Sequence, residues 1–80
     1  MTQKDWLSRI KRVLLGRTIT RVEYMTAKER RDLDWYRSPV MLRLDSGIWI
    51  YPSQDDEGNG AGSLFTSDTS EGLPVIPSMY

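Results

Sequence analysis

Hydrophobic and polar positions along the chain fall into distinct rhythms. Trp6, Leu7, Ile10, Val13 and Leu14 recur at steps of three and four, with Lys4, Ser8, Arg9, Lys11 and Arg12 off that stripe. The spacing predicts an amphipathic helix over about residues 3–15. Thr2 and Asp5 supply a capping box at its start, and Gly16 stands where a glycine ends a helix. Further on, Val40–Leu44 and Ile48–Tyr51 read as two strands joined by Asp45-Ser46-Gly47, a type I turn followed by Gly47 in the left-handed region. That loop pairs Leu44 with Ile48 and Leu42 with Ile50. Val40, Leu42, Leu44, Ile48 and Ile50 then share one face, which must be covered. Met41, Arg43, Trp49 and Tyr51 take the other, with Arg43 opposite Trp49 and able to lie on its indole. A two-residue Ser46-Gly47 loop would move Trp49 and Tyr51 to the Leu42 face, so the facing depends on the turn. The first helix is the expected cover of the apolar face, with Trp6 in the core.

Between these landmarks the pattern is less regular. Arg17–Met25 reads as a strand, but Ile19 and Val22 are three apart, which calls for a bulge near Thr20-Arg21. Thr26 and Glu29 repeat the capping box, predicting a short helix from Ala27 to Leu33 that Leu33, Trp35 or Tyr36 must anchor. Ser38-Pro39 then stops the helix and starts the hairpin. After Pro52 comes a polar, glycine-rich stretch to Ser63. Leu64-Phe65 is expected to return to the core, and Leu73–Pro77, with two prolines, to form a short edge strand. Ser78-Met79-Tyr80 is expected to fray. The expectation is one α+β domain over residues 1–80, with the helix in 1–16 and the sheet in 17–77, including the short helix near 27–33. The N-terminal helix packs on a small curved antiparallel sheet of three to four strands. A partly closed SH3-like barrel is the specific form this suggests.

Composition narrows the chemistry. The 80 residues are 39% apolar and 28% charged, as in ordinary soluble domains. No apolar run reaches the roughly 18 to 20 residues of a membrane span, and the N-terminal stretch lacks a signal peptide's continuous apolar core. A cytoplasmic location and no membrane partner are the default expectations. The chain has neither cysteine nor histidine. That removes disulfides, thiolate chemistry and the usual base near neutral pH, and it excludes Ser–His and Cys–His nucleophiles. Carboxylate pairs such as Asp32/Asp34 and Asp55/Asp56 remain, but adjacent acids in polar loops share one environment, so the chain leans away from catalysis. No cofactor is expected. Net charge is zero, yet unevenly spread: residues 1–31 hold nine basic side chains against three acids, and residues 32–80 hold two against eight. Either the first half meets an acidic partner, or the two halves neutralise each other.

A resemblance can be stated on four stretches: Gly16-Arg17-Thr18-Ile19-Thr20-Arg21-Val22-Glu23-Tyr24, the Leu33-Asp34-Trp35 step, Val40 to Pro52, and Asp55-Asp56-Glu57-Gly58-Asn59 running on to Leu64-Phe65. Together, over about residues 14–76, they resemble a family of short uncharacterised bacterial proteins. No activity is assigned to that family. The resemblance implies a compact α+β domain and carries over no functional residue.

Three candidate surfaces follow from the residues. Arg43, Trp49 and Tyr51, on the outer hairpin face, are the residue types enriched at interface hot spots. They suggest a small soluble interaction module for a protein partner or for self-association, unless a second small core covers them. Lys11, Arg12, Arg17, Arg21, Arg30 and Arg31, near Trp35 and Tyr36, could contact a nucleic-acid backbone, although the pI of about 6.2 is low for a dedicated binder. Asp55, Glu57 and Asn59 fall at the first, third and fifth positions of a calcium-loop pattern, which then fails at its twelfth position, Thr66. The simpler reading of that loop is a solvated, mobile connection.

Overall fold

The computed structural model describes residues 2–68 and 70–79. In chain order these form α1 (Gln3–Leu14), β1 (Ile19–Tyr24), α2 (Ala27–Asp32), β2 (Val40–Leu44), β3 (Trp49–Ile50), β4 (Leu64–Phe65) and β5 (Val75–Ile76). Strands β1, β2 and β3 make one antiparallel sheet in that order, and β4 pairs with β5 in a second. The class is α+β.

The turn at Asp45-Ser46-Gly47 sets the facing of the sheet. Gly47 has φ 90°, its N–H donates to the Leu44 carbonyl at 2.9 Å, and Leu44 N–H donates to the Ile48 carbonyl at 2.9 Å. Leu42 therefore pairs with Ile50 and Arg43 with Trp49, as the three-residue loop requires. The register of β1 shifts between Ile19 and Arg21, so Ile19 opposes Leu44 and Val22 opposes Leu42. This bulge puts both residues on the Val40 face.

Both helices open with complete capping boxes, Thr2 with Asp5 and Thr26 with Glu29. The end of α2 matters more. Asp34 N–H donates to Arg31 O at 3.0 Å and Trp35 N–H to Arg30 O at 2.9 Å, while Asp34 sits at φ 61°. This is a Schellman ending with Asp in place of the usual glycine. It turns Trp35 back under the helix, where it joins Met25 and Met41 in a buried cluster, with Trp49 and Ala61 packed against it. The indole N–H donates to the Gly58 carbonyl at 2.8 Å, and Gly58, at φ 74°, presents that carbonyl from a backbone conformation natural to glycine. The main cluster thus lies on the Met41–Trp49 side of the sheet.

The other side corrects an expectation. No residue of α1 is buried, and Trp6 is 55% exposed rather than in the core. An open groove of about 330 Å³, lined by Trp6, Ile10, Val13, Leu14 and Ile50, separates the helix stripe from the sheet. The reason is width: β3 spans two residues, so beyond β2 the helix finds Ile50 and little else. Val40 and Leu44 are buried all the same. The chain is accordingly open, with a radius of gyration of 13.9 Å. About 12 Å is usual for this length.

Two further expectations are corrected at the C-terminal end. Phe65 is 82% exposed, because the β4–β5 pair covers one side chain of each strand and leaves Phe65 outside. Ser78 is buried and Met79 is paired, since Ser38 and Met79 exchange backbone hydrogen bonds and an Arg37 guanidinium N–H donates to Ser78 O at 3.0 Å. That pairing satisfies the backbone beside the fully buried Pro39. Tyr80 lies outside the described residues.

Candidate functional site

The outer hairpin face is partly a core and partly a groove. Trp49 is half-buried against the Met25–Trp35–Met41 cluster, and the guanidinium carbons of Arg21 and Arg43 each lie 5.9 Å from its ring centroid. Cation–π contact with Arg43 follows from the cross-strand register, and Arg21 joins it because β1 carries that residue on the same face. Tyr51 meets Trp35 edge-on, with centroids 6.0 Å apart, and remains 44% exposed. Of the three residues singled out from the sequence, Arg43 and Trp49 therefore meet, and Tyr51 reaches the same cluster through Trp35. Trp49 and Arg43 are engaged within the monomer, which corrects the picture of a wholly free face. Trp35 does the covering; Tyr36 stays 93% exposed.

Beside this cluster runs an open groove of about 570 Å³. Met25, Met41, Trp49 and Tyr51 form its floor and Leu33 one wall. Three carboxylates line it as well: Glu23 from β1, and Glu29 and Asp32 from α2. Glu23 takes an ion pair from Arg21 at 3.0 Å, and Glu29 accepts the Thr26 hydroxyl at 2.8 Å. The acidic rim is the part sequence reasoning missed. Glu29 and Asp32, three apart, share one side of α2 with Leu33 following. The pattern is visible, but its placement beside Glu23, Trp49 and Tyr51 is set by the tertiary fold. The groove offers apolar and aromatic surface with negative charge at the margin. It contains no nucleophile with an adjacent base.

The glycine-rich loop serves the fold. The Asp55 carboxylate accepts from Asn59 Nδ2 at 3.0 Å, Asn59 N at 3.2 Å and Glu57 N at 3.0 Å. These bonds, led by the Asn59 side chain, hold the Asp55 carboxyl below its ordinary pKa. Ser53 bridges Ala61, and Gly62 N–H donates to Pro52 O at 2.9 Å. Among the described residues, no group of three or more Asp, Glu, His or Cys is placed to hold a metal ion. The loop also supplies the carbonyl that accepts from the Trp35 indole N–H.

The six basic candidates come from separate places: Lys11 and Arg12 on α1, Arg30 and Arg31 on α2, Arg21 on β1 and Arg17 in the link between α1 and β1. Arg17 faces Asp45 at 3.9 Å, one contact between the basic and acidic halves of the chain. Trp35 is buried, so of the two neighbouring aromatics Tyr36 alone is open for stacking. No helix of the described residues is long and apolar enough to cross a membrane. Among known proteins, no family model matches this chain, and neither a curated protein nor a solved structure does.

Proposed function

We propose that the protein is a small interaction module that holds a segment of a protein partner in the groove between α2 and the outer hairpin face. The observation that supports this reading is the groove itself: an aromatic and methionine floor beside a carboxylate rim. Methionine adapts to varied apolar shapes, and Trp and Tyr anchor interfaces. The carboxylates select a segment that carries Lys or Arg among aliphatic side chains. Arg43 steadies Trp49 by lying over its ring, and Tyr51 offers the exposed aromatic edge.

A panel of short peptides tests this, with binding followed by amide chemical shifts. Peptides combining a basic and several aliphatic residues should move Leu33, Trp49 and Tyr51. Doubling the changes as Glu23→Gln/Asp32→Asn should weaken them about tenfold or more, in line with loss of a rim charge pair. Uniform weak shifts over the whole chain, or equal response to acidic peptides, would sink the groove reading.

A further inference from the structure

We propose that the outer edge of β1 docks the same edge of a second copy, giving a two-fold dimer whose three-stranded sheets join across Val22. This edge shares Glu23 with the rim of the groove but no other groove residue, and the proposal goes beyond the reading above. The sheet has two edges. At one, β3 is two residues long and is followed within two residues by Pro52, which cannot donate to a neighbouring strand. At the other, β1 is six residues long, contains no proline and is exposed at every position. No described residue pairs with its outer side.

Hydrogen-bond directions follow from the register. Met25 N–H donates to Pro39 O at 3.0 Å, and from there the pairs run Tyr24–Val40, Glu23–Met41 and Val22–Leu42. In an antiparallel ladder, bonded and non-bonded pairs alternate. Met25, Glu23 and Arg21 therefore point their backbone groups at β2. Val22 and Tyr24 point theirs outward, where an unpaired edge is a template for another strand.

The residues around Val22 are self-complementary. An antiparallel pair centred on Val22 sets Val22 against the partner's Val22, the hydrogen-bonded position that the outward groups require. It also sets Arg21 against the partner's Glu23, and Glu23 against the partner's Arg21. Both fall at non-bonded positions, where side chains come closest. Charged side chains usually blunt an edge. Here their order turns the same charges into two cross-strand pairs.

Area and charge agree. Val22 is 64% exposed and Ile19 52% exposed, on the face that α1 leaves open. The accessible surface is 6395 Å² for a 9.3 kDa chain. A compact monomer of that mass exposes about 5,000 Å². The excess, about 1,400 Å², exceeds the roughly 800 Å² that each partner buries in a standard interface. With a formal net charge of zero, no overall repulsion opposes the pairing.

Sedimentation equilibrium from about 10 μM to about 1 mM protein, the range in which an interface of modest size titrates, tests the proposal. The mass should rise from 9.3 kDa towards twice that value. Hydrogen exchange on the same samples should slow at least about tenfold for the Val22 and Tyr24 amides as concentration rises, while Glu23 stays protected throughout. Arg21→Glu alone and Glu23→Arg alone should each abolish the rise by opposing like charges. The double change Arg21→Glu/Glu23→Arg should restore it. A constant mass near 9.3 kDa, or a double variant that fails to recover, overturns the dimer. So does a mass that responds to Tyr51→Ala or Asp32→Asn and ignores the β1 changes, which would place the second copy in the groove. Should a variant fail to fold, the exchange pattern of the unaltered chain decides alone.

Discussion

The two faces of the three-stranded sheet start from similar material and end differently. One carries Val22, Leu42 and Ile50 and has a twelve-residue amphipathic helix beside it; the other carries Met41 and Trp49 and has a six-residue helix. The face beside the short helix holds the buried cluster, and the face beside the long one stays open. The difference lies in how the covering group is delivered. Trp35 is placed by a Schellman turn at one end and held by the Gly58 carbonyl at 2.8 Å through its ring nitrogen. The stripe of α1 depends on a single short link, residues 15–18, and meets a sheet two residues wide at its far edge. An apolar stripe supplies the driving force for burial, but a fixed approach and sufficient opposing area decide whether burial happens.

The largest contrast between the two faces should come from removing each tryptophan. Trp35→Ala should cost about 3–5 kcal/mol, the usual loss for a buried aromatic, and leave a domain of this size largely unfolded. Trp6→Ala, at a side chain already 55% exposed, should cost about 1 kcal/mol or less. Urea denaturation of both at low concentration measures the contrast. Comparable losses would mean that α1 is a structural cover after all. Trp35→Phe separates area from the hydrogen bond: it keeps most of the ring but leaves the Gly58 carbonyl without its donor, a loss of about 1 kcal/mol.

What the sequence revealed divides along the same line. The hairpin register, the bulge in β1 and both capping boxes were legible, because each is dictated within a few residues. Asp45-Ser46-Gly47 fixes the turn, and Thr26 with Glu29 fixes the helix start. Which face held the main cluster was not legible. That depended on Asp34 adopting φ 61° and on Gly58 standing 23 residues beyond Trp35, a long-range contact that no local pattern announces. Of the site, Arg43, Trp49 and Tyr51 could be picked out as neighbours on one face. The carboxylate rim could not, because it needs the placement of α2. Trp6 misled for the opposite reason: its periodicity was sound, while the surface it needed was missing.

The matched capping boxes should set the two helices apart by about 1 kcal/mol. Thr26 Oγ1 accepts the Glu29 N–H at 3.2 Å, and Thr2 Oγ1 accepts the Asp5 N–H at the same distance. Each Thr→Ala change removes the same bond, worth about 0.5–2 kcal/mol to the helix. Loss at Thr26 should loosen the seat of Trp35 and lower the stability of the whole domain. Loss at Thr2 should fray α1 and leave the unfolding midpoint within about 0.5 kcal/mol of the unaltered chain. Equal shifts in the midpoint would show that α1 belongs to the same cooperative unit.

A smaller gain should come from Asp34→Gly. Its left-handed backbone, at φ 61°, is one that Asp tolerates and Gly adopts freely. The change should stabilise the domain by about 0.5–1 kcal/mol, visible as a higher urea midpoint with an unchanged slope. Loss of stability would mean that the Asp34 side chain, not its backbone, holds the turn.

The smallest effect distinguishes the faces by pH. The Asp55 carboxyl is held below its ordinary pKa, first by the Asn59 side-chain amide and then by the Asn59 and Glu57 N–H groups. A carboxyl depressed in the folded chain binds its proton less readily there than in the unfolded chain. Its contribution is therefore complete above the ordinary Asp value of about 3.9 and is lost as pH falls through the depressed one. Because Asp55 is exposed, the effect is local: acid should loosen the turn that carries Gly58 and speed exchange of the Trp35 indole N–H. Asn59→Ala should raise the Asp55 midpoint, followed through its carboxyl carbon resonance, and carry the Trp35 response to higher pH with it. A Trp35 signal that ignores both the acid and the Asn59 change would detach the loop from the Trp35 cluster. The Gly58 carbonyl would then be an incidental acceptor, and packing against Met25 and Met41 would be the main restraint on the indole.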